Sequence, residues 1–264
     1  MKNLKLAAVC LSCLTMTGCS ALNFSVEGLI NAPKLTSEQS EIHQALIESV
    51  GSNITLKYPK NGEYRSAYVI ANIDDEPTDE AMVFYEYTSN GSEEDGLRVN
   101  ILDKDEDGKW YSVKELAGAG TDIDQVIISP MGSNNQTDVF VGYQNLTNDE
   151  KTMEIYSYTD GDFKRVALDT YSVLEPLDIN NDGYIELITI QRSTNNDTGA
   201  VTAKASMLNM KNNEITRGEN VDMCDNVTSY VSSKTGMLDS GRRAIFIDGL
   251  TADGKLQTEI IYYR

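Results

Sequence analysis

The sequence has few of the residues that build most catalytic and metal centres. Its 264 residues include one histidine, His43, one tryptophan and four cysteines. A single histidine excludes zinc sites that need several imidazoles and leaves only His43 for a Ser-His-Asp triad. Basic residues are also scarce, with 22 Lys and Arg against 41 Asp and Glu, for a net charge of -19. This imbalance argues against a nucleic-acid partner, because phosphate binding needs lysine and arginine gathered on one face.

Residues 1–18 have the plan of a secretory signal peptide. Lys2 and Lys5 precede an apolar run from Leu6 to Met16, which is too short to span a bilayer as a permanent helix. The following Met-Thr-Gly-Cys sequence ends at Cys19 and resembles the lipobox of bacterial lipoproteins. That resemblance implies a diacylglyceryl group on Cys19 and a lipid anchor at the extracytoplasmic face of the cell membrane. An ordinary cleaved signal peptide is the alternative.

The cysteines do not predict an internal disulfide. Cys10 and Cys13 would leave with the signal peptide, and acylation of Cys19 would make Cys224 the one free thiol. We expect Cys224 to be a small buried hydrophobic residue rather than a reactive nucleophile, since no second histidine is available to activate it. Residues 19–35 are irregular and are predicted to be a tether.

A single helix is predicted within residues 36–51. The apolar residues Ile42, Ala45, Leu46 and Val50 recur with the spacing of one helical face, which predicts a helix from about Ser37 to Val50 that packs on the following domain. Gly51 supplies a stop. His43 lies beside this face, so we expect a residue at the rim of the contact rather than a catalytic base.

Residues 52–264 are predicted to form an all-β domain. Short segments rich in Val, Ile, Tyr and Phe are separated by Gly, Asn and Asp, with Asp-Gly turns that are typical of β-hairpins. A sandwich, a barrel or a propeller would fit this pattern. Four segments begin with a polar residue ahead of an apolar strand, at intervals of about 50 to 60 residues, the length of one propeller blade. We call these four first residues the heads: Glu80, Asp138, Glu186 and Arg243.

The sequence around two heads resembles a known family. LDINNDGYIELITI is similar to the FG-GAP or VCBS-type repeats of integrin-alpha-like β-propellers, and ANIDDEPTDEAMVFYEY is a weaker relative. The resemblance implies a lipoprotein with a β-propeller of about four repeat units preceded by one short helix. Either a small ring closes through an N-terminal strand, ITLKY or SAYVIANI, that completes the last unit, or the chain is truncated at its C-terminus and is part of a longer ring. We favour the second alternative.

One loop has the pattern of a calcium site. Oxygen-bearing side chains recur at alternate positions from Asp178 to Glu186, with Gly183 at the sixth position. A curled loop of this kind can surround Ca²⁺ with six to eight oxygens at about 2.3 to 2.6 Å. The alternative is a polar turn that needs no ion. The predicted ligands are Asp178, Asn180, Asp182, the backbone carbonyl of Tyr184, and Glu186.

A second loop is a weaker candidate for a metal site. Asn72, Asp74, Glu76 and Glu80 follow similar spacing, but Pro77 replaces the glycine and fixes φ where the loop must curl. The segment from Asp103 to Gly108 is predicted to be an acidic hairpin turn instead.

The function predicted from these features is a lipid-anchored extracytoplasmic binding module with one structural calcium ion and a protein or glycan ligand. The alternative is a hydrolytic enzyme, or an accessory domain of an envelope enzyme, that acts on glycan or peptide through paired carboxylates. The candidate pairs are Asp79 with Glu80 and Asp122 with Asp124. Adjacent acids are expected by chance in so acidic a chain, and neighbouring residues on a strand face opposite sides, so we favour the binding module.

Overall fold

The computed structural model describes most of the chain after the predicted tether. The described residues are 35–88, 96–131, 137–145, 150–194, 197, 199–211, 214–218, 220–224 and 227–263. The predicted signal peptide, Cys19 and all but the last residue of the tether lie outside them. Within the described ranges, no helix has the length and apolar character needed to cross a membrane.

The predicted helix is confirmed as α1, Ser37–Val50. Ile42 and Leu46 are fully buried, which accounts for the apolar face read from the sequence. The helix ends at Gly51, whose positive φ of 84° and hydrogen bond from its N–H to the carbonyl of Ile47 (2.9 Å) turn the chain out of the helix. His43 lies at the edge of the contact, where its Nδ1 is 2.8 Å from the Tyr68 hydroxyl.

The rest of the described chain is built from strands, which confirms the all-β class. The strands are β1 (Ile54–Leu56), β2 (Tyr68–Ala71), β3 (Glu80–Tyr87), β4 (Leu97–Lys104), β5 (Trp110–Ala117), β6 (Asp122–Ser129), β7 (Asp138–Gln144), β8 (Lys151–Thr159), β9 (Asp162–Tyr171), β10 (Val173–Leu177), β11 (Glu186–Thr194), β12 (Val201–Lys211), β13 (Glu214–Arg217), β14 (Val221–Asp222), β15 (Val227–Met237), β16 (Arg243–Thr251) and β17 (Leu256–Tyr262).

These strands form four antiparallel sheets that follow one another along the chain. Sheet A contains β1–β5, sheet B β6–β9, sheet C β10–β14 and sheet D β15–β17. In sheet A, β1 and β2 both pair with β3, β1 near its end and β2 near its start. The alternative in which ITLKY or SAYVIANI completes the last unit is therefore excluded, because both segments belong to the first sheet.

Each head begins a strand: β3, the third strand of sheet A, and the second strand of each of the other three sheets. Glu80 starts β3, Asp138 starts β7, Glu186 starts β11 and Arg243 starts β16. One strand of the sheet precedes the head in sheets B, C and D (β6, β10 and β15), whereas both β1 and β2 precede it in sheet A. Each structural unit therefore begins before its head, and sheet D holds three strands with its head in the middle.

Neighbouring sheets share hydrophobic cores. Sheets A and B meet around Phe84 and Tyr143, sheets B and C around Phe140 and Leu187, and sheets C and D around Ile188 and Ile245.

The opposite face of sheet A packs against α1, with Leu46 and Trp110 in the contact. Sheets B and C are thus covered on both faces. This explains why β7 has six buried residues in succession instead of an alternating pattern.

The Asp-Gly turns predicted from the sequence are present where the structure describes them. Between β8 and β9, Asp160 and Gly161 both adopt positive φ, 54° and 76°, the conformation of a two-residue hairpin turn. The segment between β4 and β5 is the acidic hairpin turn that was expected, in which the Asp105 carboxylate accepts hydrogen bonds from the N–H groups of Asp107 and Lys109.

Candidate functional site

The first strands of sheets B, C and D and a loop of sheet A line one cleft. It has a volume of ≈ 570 Å³, which lies within the range of small-molecule sites. Sheet A contributes the segment 61–64 that precedes β2, while β6, β10 and β15 contribute residues from the other three sheets. Asp124, Lys151, Glu175 and Ser233 are among the polar side chains of the lining.

A buried carboxylate organises one wall of this cleft. Asp124 is 1% exposed, and its Oδ1 lies 2.8 Å from both Lys151 Nζ and Asn61 Nδ2. Its Oδ2 accepts a hydrogen bond of 2.6 Å from the Tyr171 hydroxyl. Burial of the ring, together with the negative charge of Asp124, raises the pKa of Tyr171 well above its usual range, so Tyr171 remains a donor. Lys151 therefore balances the charge of Asp124, and the bonds from Asn61 and Tyr171 fix the position of its carboxylate.

A glycine makes room for this arrangement. A Cβ atom at Gly142 in β7 would collide with the hydroxyl of Tyr171. Glycine at this position therefore lets the tyrosine reach Asp124 across the strand.

A second carboxylate of the cleft has no basic partner among the residues that the structure describes. Glu175 in β10 accepts a hydrogen bond from the Ser233 hydroxyl of β15, which joins sheets C and D. Burial raises the pKa of Glu175, and the bond from Ser233 lowers it by a smaller amount. No ion pair to Glu175 is formed within the part of the chain that the structure describes.

Three of the heads make the same hydrogen bond. The carboxylates of Glu80, Asp138 and Glu186 accept from the backbone N–H of the residue seven positions earlier in the chain, at 2.8, 3.2 and 3.0 Å. The three donors are buried apolar residues, Ile73, Met131 and Ile179. Each head carboxylate thus fixes the loop between the first two strands of its sheet.

The loop from Asp178 to Glu186 is curled as predicted for a cation site. Asn181 and Gly183 have positive φ, 60° and 95°. The Asp182 N–H donates to Asp178 Oδ1 (3.0 Å) and to Asn180 Oδ1 (2.8 Å). The oxygen-bearing side chains of the loop therefore lie together.

The remaining contacts of this loop tie its acids to one another. Asn180 Nδ2 lies 3.0 Å from Asp182 Oδ2 and 2.9 Å from Glu186 Oε1, and the N–H of Tyr184 donates to Asp182 Oδ1 at 2.9 Å. Burial raises the pKa of Glu186, and the charges of Asp182 and Asp178 raise it further.

One positive charge already reaches this loop. The head of sheet D, Arg243, places its Nη1 3.1 Å from Asp178 Oδ2 and 2.9 Å from the Asp178 carbonyl. Arginine therefore stands where the other sheets carry an acid and neutralises part of the neighbouring loop. Over the described ranges, no group of three or more His, Cys, Asp or Glu side chains is arranged to hold a metal ion.

The weaker candidate loop is closed by its own contacts. Asn72 Nδ2 donates to the carbonyls of Glu76 (2.5 Å) and Thr78 (3.0 Å), and the Glu76 N–H donates to Asp74 Oδ1. Glu80 is 1% exposed, and its Oε1 has no hydrogen-bond partner in the described residues. Burial raises the pKa of Glu80 to about 7, against the bond from Ile73, and the charges of Asp74 and Asp103 raise it as well.

The carboxylate pairs proposed for hydrolysis have other partners. Asp122 Oδ2 lies 2.7 Å from Lys60 Nζ, whereas Asp124 is bound to Lys151. Glu80 is buried at the start of β3 and holds the N–H of Ile73.

Cys224 differs from its prediction. The residue is exposed, so the expectation of a small buried hydrophobic residue is wrong. Met223, the residue before it, takes the inward position next to the core of sheets C and D. Since successive side chains in an extended segment point to opposite sides, Cys224 points outward. Its backbone N–H donates to Glu259 Oε2 at 2.9 Å.

The sequence did not identify the cleft. The sequence predicts Asp124 only as half of a carboxylate pair. Its partners, Asn61, Lys151 and Tyr171, are distant in the chain and belong to no motif. The one local signal is the polar pair Asp124-Gln125 inside the otherwise apolar strand β6. A polar pair at buried positions of a strand indicates a local polar network.

No protein-family model matches the chain, and no curated protein matches it.

Proposed function

We propose that the chain is a lipid-anchored extracytoplasmic binding module whose ligand occupies the cleft between the four sheets. The observation that carries this proposal is the convergence of all four sheets on one polar cleft of ≈ 570 Å³. Ligand sites commonly lie in clefts where several elements converge and present a few well-placed polar groups. The rigid network around Asp124 supports a preorganised binding surface.

We further propose that the four sheets are the blades of a small β-propeller related to the FG-GAP and VCBS-type repeats. Three features support this proposal: the sheets are consecutive and antiparallel, neighbours share cores, and sheets B, C and D contribute their first strands, and sheet A the loop 61–64, to the common cleft. Propellers arrange their sheets around a central channel in this manner.

Membrane attachment through Cys19 is part of the same proposal, and the sequence before Cys19 supports it. A diacylated cysteine would hold the chain at the membrane stably, since two acyl chains are needed for firm attachment. Treatment with globomycin, or the change Cys19→Ser, is expected to release the protein from the membrane fraction. Unchanged fractionation would contradict acylation, and the matched change Cys224→Ser should leave the protein membrane-bound.

A structural calcium ion in the Asp178–Glu186 loop is also proposed. The donor set fits a hard cation, because carboxylate and amide oxygens of Asp178, Asn180, Asp182 and Glu186 lie in one curled loop. Such an ion would offset the repulsion between the acids that Arg243 leaves uncompensated. Its role would be to stabilise the loop.

Binding in the cleft can be tested by filling it. Ser172 belongs to the lining, so Ser172→Trp is expected to abolish capture of glycans, peptides or small molecules that bind the wild-type protein. Ser240 lies on an exposed turn away from the cleft, and Ser240→Trp is the matched control. Ligands retained equally by both variants would place binding elsewhere.

The hydrolytic alternative has a separate readout. The same ligand panel would be incubated with the protein and analysed for cleavage products. The ion pairs that occupy Asp122 and Asp124 favour binding without turnover. Turnover that is lost in Ser172→Trp would reverse this assignment.

A further inference from the structure

The lining of the cleft contains more acidic than basic side chains. Its lining contains the acids Glu63, Asp124 and Glu175 and the single base Lys151. Lys151 forms an ion pair with Asp124, since its Nζ lies 2.8 Å from Asp124 Oδ1. The same Nζ lies 5.6 Å from the centre of the Tyr171 ring. The lining therefore holds more acids than bases; beside it, Arg65 Nε donates to the carbonyl of Gly62 at 3.1 Å.

Glu175 is the acid of the cleft whose charge is least compensated by the contacts described. It lies between sheets C and D, where, within the described residues, it receives one hydrogen bond, from the Ser233 hydroxyl. A hydrogen bond from a neutral hydroxyl replaces only part of the hydration that a carboxylate loses on burial. A positive charge entering the cleft would supply the rest.

Two tyrosines add a second feature that favours a cation. Tyr64 and Tyr230 both line the cleft, and both are partly buried against the shared cores. Burial raises the pKa of Tyr230 to about 12, so its ring remains a neutral phenol. Aromatic faces next to carboxylates attract ammonium groups through their quadrupoles.

The volume of the cleft decides between a bare ion and an organic cation. A space of ≈ 570 Å³ would be filled mainly with water around a single metal ion, whereas organic ligands commonly occupy sites of about 300 to 1,000 Å³. The acidic surface of the whole chain, with its net charge of -19, would also concentrate cations near the opening.

From these observations we propose that the ligand of the cleft is a small organic ammonium compound, whose charged nitrogen pairs with Glu175. This inference rests on the proposed function, because it assigns a chemical class to the ligand of the same cleft. Glu63, which is exposed at the rim, attracts the same charge from the solvent side.

The test compares three ligands that share a five-carbon chain and differ in charge: 1,5-diaminopentane, 1,5-pentanediol and glutarate. Each is titrated calorimetrically into the full-length chain in mild detergent at moderate salt. We expect the diamine to bind at least tenfold more tightly than the diol, and glutarate to give no binding signal. Glu175→Gln, which keeps the size of the side chain, should weaken diamine binding at least tenfold, and Glu63→Gln should weaken it by a smaller factor.

The control removes the same charge elsewhere. Glu106 is exposed on the turn between β4 and β5, and Glu106→Gln should leave diamine binding within twofold of wild type. Equal loss in both variants would show unspecific attraction to an acidic protein and overturn the assignment. Tight binding of the diol or glutarate that Ser172→Trp abolishes would also overturn it, while leaving the cleft as the binding site. Absence of binding by all three ligands would likewise reject the ammonium class.

Discussion

At the scale of single residues, the interaction that recurs most clearly is the bond from a head carboxylate to the backbone seven residues earlier. Glu80, Asp138 and Glu186 make it in three successive sheets. Burial raises the pKa of all three carboxyl groups. The bonds from the backbone N–H groups favour the ionised carboxylates, but the cost of burying the charge outweighs them, so ionisation of these groups destabilises the folded loops.

The first prediction concerns Glu80 and pH. Its pKa of about 7 in the folded chain exceeds the ordinary value of 4.5, so the folded state keeps a proton that the unfolded state has lost between these values. Stability is fully present below pH 4.5 and falls as pH rises toward 7, by at most about 3 kcal/mol at 1.36 kcal/mol for each unit. Glu80→Gln should flatten this decline when unfolding is measured in urea, with chelator present, between about pH 4.5 and 7.5.

The control for this pH dependence is an exposed acid. Glu106→Gln removes a carboxyl group that lies on the surface and should leave the pH profile of the unfolding free energy as in wild type. A Glu80→Gln protein with the wild-type slope would show that Glu80 does not titrate in this range.

The second prediction concerns Gly142. Gly142→Ala would force the Tyr171 ring away from its position and break its bond to Asp124. We expect a loss of about 1 to 3 kcal/mol of unfolding free energy, the usual cost of overpacking. Gly218→Ala is the matched change, because a Cβ there meets nothing closer than 3.4 Å. Similar melting temperatures for the two variants would contradict the proposed packing constraint.

At the scale of elements, α1 serves as the outer cover of sheet A. Ile42, Ala45 and Leu46 pack on a face that includes Val83, Tyr85 and Trp110. A helix of fourteen residues is marginal alone in water, so this packing supplies most of its stability. The helix is therefore part of the folded domain.

The third prediction tests that packing. Leu46 is fully buried, and Leu46→Ala should lower the unfolding free energy by about 2 to 5 kcal/mol, from lost apolar burial and the cavity left behind. Ser49→Ala, on the exposed side of the same helix, should change it by no more than about 0.5 kcal/mol. Chemical denaturation of both variants gives the comparison, and equal stability would mean that α1 does not support sheet A.

The elements differ in how far the sequence alone predicts them. The periodic apolar face of α1 and the heads before apolar strands were sufficient signals, and the structure confirms both. β15 gave no such signal, because its middle carries Ser232, Ser233 and Lys234 in place of alternating apolar residues. The sheet to which β1 belongs was left open by the sequence, since pairing with β3 is set by contacts distant in the chain.

At the scale of the whole described domain, the shared cores form a continuous series from α1 through sheets A, B, C and D. Its two ends differ. Sheet A is covered by α1, whereas β17 of sheet D leaves Leu256, Ile260 and Tyr262 exposed. The cleft could not be predicted from the sequence for a related reason: it gathers residues from positions 61 to 233, and only the stacking of all four sheets brings them together.

Calcium provides the last prediction, because the Asp178–Glu186 loop joins sheet C to sheet D through Arg243. If Ca²⁺ binds only the folded chain, saturation at a hundred times its Kd adds about 2.7 kcal/mol. Removal by a chelator should then lower Tm by about 5 to 10 °C, and Asp182→Ala should abolish this difference. Asp107→Ala, in the turn between β4 and β5, should preserve it. A wild-type Tm that chelator does not change would contradict the site.

Arg243 allows a sharper form of the same experiment. Its guanidinium competes with any cation for the Asp178 carboxylate, so Arg243→Ala should leave the loop more negatively charged and tighten calcium binding. The variant should melt earlier than wild type in chelator, since it loses its bonds to Asp178, yet gain more from added Ca²⁺. A calcium-induced rise in Tm no larger than that of wild type would mean that arginine alone neutralises this loop, and that the curl of residues 178–186 needs no metal.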